Sequence, residues 1–345
     1  MNQQQRVYVR CARYDGPGRI VVTKLGRPPC PREGVLVQVE WAGICGSDLV
    51  VYSGAREQPG NPPGHEFSGT IIEVGEAVQD FVVGDRVCAE SFSHCGACNF
   101  CQRGDYNLCV QRVYMPDTGP SGFSEIAAVP ASALHRLPDA VDFELGALVE
   151  PLAVGLHALG RIVEAPVHRL LIIGAGTIGL STLLCAKARG IKDVRIVAKY
   201  PHQADLARRF GANEVLEPHR YLRQGVDGQP DAIVSTSTSG EALSQAIRIC
   251  RRRGTIVLTS AYTADTTVQL RSMVSEELYL AGAIAYAQSE TGPDFDVIIA
   301  WLADGILQPR SLISHRFKLD DIAKAFRVAQ DKSTGSVKVH IRMHG

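Results

Sequence analysis

Four cysteines gathered between residues 95 and 109 are the clearest set of side chains that could do chemistry. Cys95, Cys98, Cys101 and Cys109 follow the spacing C-x2-C-x2-C-x7-C. Four thiolates on one loop close a tetrahedral zinc site with no open position, which makes such a site structural rather than catalytic. The alternative is four buried or reactive thiols without a metal, and the clustering argues against it. The spacing therefore predicts a structural zinc ion.

A second set of potential ligands is scattered along the chain: Cys45, His65, Glu66 and Glu150. A mixture of sulfur, nitrogen and oxygen ligands, with room left for a water or a substrate, is typical of a catalytic zinc. Each residue also has an ordinary interpretation, because a histidine beside a glycine is commonly a satisfied loop residue and a carboxylate before a proline commonly opens a helix. Spacing alone does not unite these four residues.

A glycine-rich turn lies near the middle of the chain. The apolar run Leu170 to Ile173 is followed by Gly174, Ala175, Gly176, Thr177, Ile178 and Gly179, which has the G-x-G-x-x-G spacing. In a dinucleotide-binding turn, the first glycine allows a sharp turn, the second admits a pyrophosphate at a helix N-terminus, and the third lets helix and strand pack closely. The pattern is weak by itself, so its surroundings decide its meaning.

Beyond residue 169 the pattern predicts strands that alternate with helices. The predicted strands are Leu170 to Ile173, Val194 to Ala198, Ala232 to Ser235, Thr255 to Thr259 and Leu278 to Ile284. The predicted helices are Ile178 to Arg189, Gln203 to Phe210 and Glu241 to Arg251. The first two end directly at a glycine, and the third ends before Gly254. Such alternation predicts a parallel, doubly wound sheet, which is the setting that the glycine turn requires.

The flanking segments are organised differently. Residues up to Pro138 contain short strands and many turns, including Val35 to Val39 and Thr70 to Val74, and indicate a β-rich domain. Helical spacing follows over Glu144 to Gly160. Near the C-terminus, two helices (Asp294 to Ala303 and Leu319 to Ala329) precede an alternating strand, Val337 to Arg342. Because this strand does not extend the α/β pattern, we expect it to return to the β-rich domain.

Composition narrows the classes of protein that fit. The 345 residues suggest two domains, and 36 basic against 36 acidic residues leave no overall field that would favour nucleic acid or an anionic membrane. Met1 to Arg10 has no apolar core, and no apolar run approaches the roughly 18 residues of a spanning helix. We therefore expect a soluble cytoplasmic protein whose ten cysteines are thiols. Five of them have no companions at ligand spacing and are expected to be ordinary core residues: Cys11, Cys30, Cys88, Cys185 and Cys250.

The chain resembles a known family over essentially its whole length. The stretch Gly64-His65-Glu66-x2-Gly69-x5-Gly75-x2-Val78 matches the zinc-site pattern of the medium-chain zinc-dependent alcohol dehydrogenases. The four-cysteine loop, the Gly84 to Val87 turn, Glu150-Pro151-Leu152 and the glycine turn follow in the family's order. Glutamate at 150 and Cys45-Gly46-Ser47-Asp48 look most like the sorbitol (polyol), threonine and butanediol dehydrogenase branch.

The resemblance implies a fold and a domain plan. The fold is α/β, with a Rossmann doubly wound parallel sheet inserted into a GroES-like β-rich catalytic domain that holds both zinc ions. We expect the first part of the catalytic domain at residues 1–152, the dinucleotide-binding domain at 153–288, and the return to the catalytic domain at 289–345.

The resemblance also implies a mechanism. Cys45, His65 and a carboxylate hold a catalytic zinc that acts as a Lewis acid on the substrate oxygen, while hydride passes to a nicotinamide. Whether Glu66 or Glu150 ligates the zinc directly stays open. Ser47 matches the hydroxyl that hydrogen-bonds the reacting oxygen, although a serine here could also cap local backbone. Many members carry a relay histidine where this chain has Val50, so we expect the proton to leave through Ser47, a cofactor ribose hydroxyl and water.

The residues past the glycine turn bear on the choice of cofactor. An NAD-binding fold places an acid about 20 residues after the glycines, where it binds the ribose 2′-hydroxyl. This chain has Ala198, Lys199 and Tyr200 there, and its next acid is Asp205. The missing carboxylate removes repulsion of a 2′-phosphate and Lys199 supplies a positive partner, which favours NADP(H) over NAD(H). A solvated surface lysine is the alternative interpretation of Lys199.

Three hypotheses for function follow. The first is a zinc-dependent dehydrogenase or reductase of a polyol, sugar or cyclitol-like secondary alcohol. The second is NAD-dependent oxidation of an amino alcohol or a simple alcohol, such as threonine. The third is a non-catalytic, crystallin-like or scaffolding member, which the complete ligand set argues against. By family analogy we expect a homodimer or homotetramer, and Ser47, Tyr52, Phe92 and Tyr114 are candidates for the substrate pocket.

Overall fold

The computed structural model describes residues 8–164, 166–224, 228–260, 262, 265–268, 270–289 and 291–344. The polar N-terminal segment considered above therefore lies, up to residue 7, outside the described residues. The chain folds into two compact units, of which the first combines Met1–Glu150 with Glu290–Gly345 and the second is Pro151–Ser289.

Nineteen strands lie within the described ranges. In chain order they are β1 (Tyr8–Tyr14), β2 (Ile20–Gly26), β3 (Gly34–Gly43), β4 (Glu66–Val74), β5 (Arg86–Ala89), β6 (Phe92–Ser93), β7 (Val113–Tyr114), β8 (Ile126–Pro130), β9 (Leu134–Arg136), β10 (Arg169–Ile173), β11 (Asp193–Val197), β12 (Glu214–Leu216), β13 (Ala232–Ser235), β14 (Thr255–Leu258), β15 (Tyr279–Gly282), β16 (Gln288–Ser289), β17 (Gly292–Pro293), β18 (Ile313–Lys318) and β19 (Lys338–Arg342).

Twelve α-helices are found in the same ranges. They are α1 (Gly46–Tyr52), α2 (Asn99–Gln102), α3 (Met115–Thr118), α4 (Phe143–Gly146), α5 (Val149–Gly160), α6 (Thr177–Ala188), α7 (Pro201–Arg209), α8 (Pro218–Gln224), α9 (Gly240–Ile249), α10 (Arg271–Ser275), α11 (Asp294–Ala303) and α12 (Ile322–Gln330).

The first unit is built around a seven-stranded sheet of order β18-β19-β3-β4-β5-β9, with β8 also paired to β3. Strand β3 is buried on both faces because its apolar residues point both ways. Val35 and Val37 join the main core together with Phe67 of β4. Leu36, on the opposite face, packs in a smaller cluster with Val9. This burial fixes the register of β3, whose C-terminal end leads to Cys45.

The C-terminal strand joins this same sheet. Strand β19 pairs antiparallel with β3, with His340 opposite Gly43. The predicted return of this strand to the β-rich domain is therefore confirmed. Its other neighbour, β18, runs parallel to it and was not predicted from the sequence. Because β19 lies between two strands, four of its five side chains are buried.

The second unit contains a six-stranded sheet of order β12-β11-β10-β13-β14-β15, and every pairing in it is parallel. The predicted fold class, a doubly wound parallel sheet combined with a β-rich domain, is confirmed. Helices α6 and α7 end before Gly190 and Gly211, whose φ angles of 79° and 86° are the left-handed conformation that glycine adopts at a helix C-terminus.

Several boundaries differ from the sequence predictions. The helical stretch expected over Glu144 to Gly160 is two helices, α4 and α5, and the helix expected from Leu319 begins with a 3-10 turn before α12. Strand β4 starts at Glu66 rather than Thr70, since its pairing with β3 extends to Gly43 opposite Glu66. Strand β12 and helix α8 were missed because their short polar segments carry little periodicity. In the parts of the chain that the structure describes, no helix is both long and apolar enough to cross a bilayer.

Candidate active site

The four-cysteine loop brings its sulfur atoms together, each lying within 4.8 Å of the others. Cys95 Sγ is 3.5 Å from Cys109 Sγ, and Cys98 Sγ is 3.6 Å from Cys101 Sγ. The turn over residues 95–98 and the short helix α2 curl the chain so that backbone N–H groups also point at sulfur, as from Cys98 to Cys95 Sγ at 3.4 Å. This closed set of four soft donors fits a tetrahedral zinc ion.

The surroundings of these sulfurs favour thiolates at two positions. Backbone N–H groups of Cys101 and Val110 lower the pKa of Cys98 to about 6, and the N–H groups of Ala97 and Cys98 lower the pKa of Cys95. Burial raises the pKa of Cys101 to about 12, with neighbouring cysteines adding to the shift. Crowded thiols that cannot all ionise without a counter-charge are well suited to a bound cation.

A buried polar network anchors the loop to the rest of the unit. Tyr106 donates a hydrogen bond of 2.9 Å to Glu90 Oε1, and His135 Nε2 lies 3.1 Å from the same oxygen. His135 Nδ1 in turn lies 2.7 Å from Asp296 Oδ1 on α11. Although burial disfavours the charged ring, hydrogen bonds to Asp296 and Glu90 raise the pKa of His135 to about 9. His135 is therefore a cation at neutral pH, held between two carboxylates.

A second constellation gathers residues from three different elements. Cys45 stands at the N-terminus of α1, His65 directly precedes β4, and Glu66 is the first residue of β4. Their ligand atoms, one sulfur, one ring nitrogen and one carboxylate oxygen, all lie within 4.8 Å of one another. This mixed donor set fits a zinc ion that keeps an open position. The pairing of β3 with β4 is what brings these residues together.

Asp48 supports this constellation from within α1. Its Oδ2 accepts a hydrogen bond of 2.9 Å from the backbone N–H of Cys45, which fixes the start of the helix. Its Oδ1 lies 3.9 Å from His65 Nδ1. Although burial disfavours the charged imidazole, Cys45 and Asp48 raise the pKa of His65 well above its usual value. The negative neighbours that produce this shift also favour a bound cation.

Glu66 has a buried cationic partner. Lys338 Nζ donates to Glu66 Oε1 at 2.7 Å, to Glu66 Oε2 at 2.5 Å and to the carbonyl of Ile44 at 3.0 Å. Both residues have only 1% of their surface exposed. Burial opposes the ammonium charge, but Glu66 and Cys45 raise the pKa of Lys338. An ion pair this deeply buried is stable only because its hydrogen-bonding groups are satisfied.

Glu150, the other predicted carboxylate, lies in the first turn of α5 and is buried. Burial raises the pKa of Glu150 to about 7, an effect that His65 opposes and Glu66 reinforces. These interactions indicate that Glu150 is a neighbour of the constellation. The compact group of ligand atoms formed by the described residues includes Glu66 and not Glu150.

The other predicted site residues occupy varied positions. Ser47 is exposed in the first turn of α1, and Val50 is half-buried in the same helix. Tyr52 is buried in the core, with its ring 5.1 Å from that of Phe326. Phe92 is fully buried, whereas Tyr114, paired with it across β6 and β7, is exposed. A pocket lined by Tyr52, Phe92 and Tyr114 stays a prediction.

The glycine turn follows β10 in the second unit. Gly174 has a φ of 100°, which only glycine adopts easily, so the chain turns sharply after the strand. A Cβ on Gly179 would lie 1.9 Å from the carbonyl oxygen of Gly174, so α6 packs against the turn only because residue 179 has no side chain. A Cβ on Gly176, at the N-terminus of α6, would meet no described atom within 4 Å. Open space at a helix N-terminus fits a pyrophosphate.

The residues expected to select the cofactor lie just past β11. Ala198 is buried and donates a backbone hydrogen bond of 2.9 Å to Leu216. Lys199 is exposed, and its Nζ lies 5.4 Å from the centre of the Tyr200 ring. The next acid, Asp205, lies on α7 and pairs with Arg208 at 2.8 Å. Among the described residues, the end of β11 therefore carries no carboxylate at the position where an NAD-binding fold places one.

Comparison with known proteins places these features in a family. Residues 31–139 match the alcohol dehydrogenase GroES-like domain, and residues 177–303 match the zinc-binding dehydrogenase domain. The chain belongs to the zinc-dependent alcohol dehydrogenase family. It is therefore an oxidoreductase, and the resemblance to the polyol dehydrogenase branch is confirmed.

Individual relatives are similar over nearly their full length. Sorbitol dehydrogenase of Homo sapiens is 32% identical over 331 residues, covering 90% of each chain. The 2-dehydro-3-deoxy-L-galactonate 5-dehydrogenase of Pseudoalteromonas atlantica is 32% identical over 310 residues, covering 87% of this chain and 89% of the relative.

Two solved structures show the same fold with a cofactor bound. An Escherichia coli alcohol dehydrogenase (rspB) in complex with NADH has a TM-score of 0.89 at 26% identity and covers 98% of this chain and all of its own. A zinc-binding dehydrogenase of Sinorhizobium meliloti bound to NADP has a TM-score of 0.87 at 26% identity and covers 97% of this chain and 99% of its own. Nicotinamide cofactors of both kinds therefore occur on this fold.

Lys338 and Asp48 were not predicted from the sequence as members of the site. One feature of the sequence could have indicated Lys338. A lysine within a strand that is central in a sheet is unusual, and Lys338 lies in the predicted strand Val337 to Arg342. The sequence predicted the return of the strand but not that it would lie between two others, and only that position buries the lysine.

Proposed function

We propose that this protein is a zinc-dependent dehydrogenase that transfers hydride between a polyol or sugar-like secondary alcohol and a nicotinamide cofactor. The observation that carries the proposal is the cluster of Cys45, His65 and Glu66, whose ligand atoms lie within 4.8 Å of one another. The polyol or sugar substrate is supported by relatives named as sorbitol, L-idonate and deoxy-galactonate dehydrogenases.

In this proposal the chain holds two zinc ions. Cys45, His65 and a carboxylate from Glu66 or Glu150 would hold the catalytic ion, and Cys95, Cys98, Cys101 and Cys109 would hold the structural one. The catalytic zinc, when bound, supplies a Lewis acid that makes a substrate hydroxyl more acidic, and the cofactor supplies the hydride acceptor. The four-cysteine ion would stabilise its loop, since four thiolates leave no position for a substrate.

The protein's own residues would bind the substrate and handle its proton. Ser47, exposed two residues after Cys45, would hydrogen-bond the reacting oxygen and relay its proton, taking up that proton as its own hydroxyl proton passes to a ribose hydroxyl and then to water. Val50 has no group that could take part in this relay. Glu66 and Lys338 are almost completely buried, so this part of the site is shielded from bulk water.

We further propose NADP(H) as the preferred cofactor, bound by the turn from Gly174 to Gly179 and by the segment Ala198 to Tyr200. The open space at Gly176 supports binding of a pyrophosphate. The exposed Lys199 and the lack of a described carboxylate at the end of β11 support binding of a 2′-phosphate.

The remaining features of the proposal rest on the family and on composition. The proposed domain boundaries, 1–152, 153–288 and 289–345, are supported by the two compact units. A homodimer or homotetramer is proposed by analogy with the family. A cytoplasmic location is supported by ten cysteines without a disulfide among them.

A kinetic screen tests the proposal. Purified protein is assayed with polyols, sugar acids and amino alcohols, each with NAD and with NADP, and its zinc content is measured. We expect oxidation of at least one polyol or sugar substrate, a higher kcat/KM with NADP, and two zinc ions per chain. A strong preference for NAD refutes the cofactor assignment. Turnover of amino alcohols alone would favour a threonine-type enzyme, and one zinc per chain without turnover would favour a non-catalytic member.

A further inference from the structure

Lys338 places three hydrogen-bond donors where three acceptors need them. An ammonium group has three N–H bonds, and its partners here are both carboxylate oxygens of Glu66 and the carbonyl of Ile44. Ile44 immediately precedes Cys45, so the single ammonium contacts a proposed ligand and the backbone next to another. The lysine therefore ties together the two strand ends that carry the constellation.

Glu66 has no freedom to turn away from this position. A Cβ on Gly43 would lie only 2.2 Å from Glu66 Oε2, and the side chain of Glu66 is almost completely buried. Each carboxylate oxygen can accept more than one partner, so contact with Lys338 leaves lone pairs for a metal ion. Glu66 is also the carboxylate that forms a compact group with Cys45 and His65.

We propose that Lys338 is a positioning residue of the catalytic metal site: its ammonium holds the carboxylate of Glu66 in place beside Cys45 and His65. The inference rests on the proposed function, because it requires a metal at this constellation. It goes further by naming the residue of the C-terminal strand that holds a proposed ligand in place.

The test measures metal binding rather than activity. Zinc affinity is determined by competition with a chromophoric chelator, and Co²⁺ is used as a spectroscopic probe of the mixed-ligand site, with the four-cysteine site as an internal reference. We expect Lys338→Met to weaken the mixed-ligand site by about 10- to 100-fold, the range typical for loss of a group that orients a ligand. Its Co²⁺ spectrum should change, while the four-cysteine site is unaffected.

Two substitutions of lysine separate positioning from general structure. Lys338→Arg keeps a cation that can donate to both carboxylate oxygens, so we expect it to retain most of the affinity. Lys332→Met is the matched control, since Lys332 lies in the same C-terminal segment and donates to the carbonyl of Ala329 rather than to a proposed ligand. This variant should bind metal as the wild type does.

Lys338→Met leaves a buried carboxylate without its partner and could fail to fold, so a double variant completes the design. Lys338→Met combined with Glu66→Gln has no unpaired charge. If Lys338 acts through Glu66, the double variant binds metal no more weakly than Glu66→Gln alone.

Two results would overturn the inference: unchanged affinity and spectrum in Lys338→Met, or additive losses in the double variant. A wild-type protein that binds zinc only at the four cysteines would instead refute the proposed function. The two failures are therefore distinguishable.

Discussion

Gly43 and Glu66 face each other across β3 and β4, and the carboxylate of Glu66 fills the space that a side chain at residue 43 would need. A Cβ on Gly43 would lie 2.2 Å from Glu66 Oε2 and 3.3 Å from Glu66 Cβ. The absence of a side chain on β3 thus lets a buried carboxylate reach Lys338 on β19, two strands of the sheet away from β4.

Gly43→Ala should displace Glu66 and weaken metal binding at the mixed-ligand constellation. The added methyl group overlaps a carboxylate whose neighbours are buried, and overpacking of this kind costs about 1–3 kcal/mol. Zinc content and thermal unfolding measure the two effects. Gly26→Ala is the control, since a Cβ there would meet no described atom within 4 Å. Equal behaviour of the two variants would contradict the interpretation.

Ser47→Ala should lower kcat by about 100-fold, because positioned proton transfer typically contributes that much or more. Steady-state kinetics with the best substrate from the screen provide the measurement. Ser53→Ala is a matched control: Ser53 follows the same helix, and its hydroxyl donates to the carbonyl of Val50 at 2.8 Å. A loss smaller than about tenfold in Ser47→Ala would exclude Ser47 from the proton route.

Lys199→Ala should raise the KM for NADP by about tenfold or more, because a hydrogen bond to a charged group is worth about 1.5–3 kcal/mol. The KM for NAD should stay the same, since NAD has no 2′-phosphate. Lys192→Ala removes another exposed lysine of the same unit and serves as the control. If both cofactors are affected equally, Lys199 does not contact the 2′-phosphate.

His135 should make stability depend on pH in the alkaline range. Its pKa in the folded protein is about 9, above the value near 6.5 of an unfolded chain, so the folded state binds the proton more tightly. The stabilisation is complete below about pH 6.5 and is lost as pH rises through 9, with an upper bound on the order of 3 kcal/mol. The difference in Tm between wild type and His135→Gln should narrow over that interval. His219→Gln, at an exposed pair with Glu217, should show no such trend.

The fold class could be predicted because the hydrophobic pattern of the sequence is clear in the buried strands and helices. The apolar run Leu170 to Ile173 is a central strand, and Gly190 and Gly211 end two of the predicted helices in the expected conformation. Boundaries were less certain where one helical pattern contains a turn, as between α4 and α5. Local spacing cannot show that two segments with similar periodicity are separate helices.

The constellation was only partly predictable from the sequence. Cys45, His65 and Glu66 were found because a family pattern links them, while their closeness in space depends on the pairing of β3 with β4. Lys338 is separated from Glu66 by 272 positions, so local spacing could not join them. Its role depends on the order of the strands, which the sequence did not predict.

The position of β19 has a consequence for the order in which the protein can mature. The first unit is discontinuous, whereas the second, Pro151–Ser289, is continuous. During synthesis the second unit leaves the ribosome complete before Lys338, the ion-pair partner of Glu66, has been made. Because a contact over 272 positions forms only after the last strand emerges, the proposed metal site would acquire its final geometry late. Binding of an ion there would then be one of the last steps of biogenesis, after the second unit has folded.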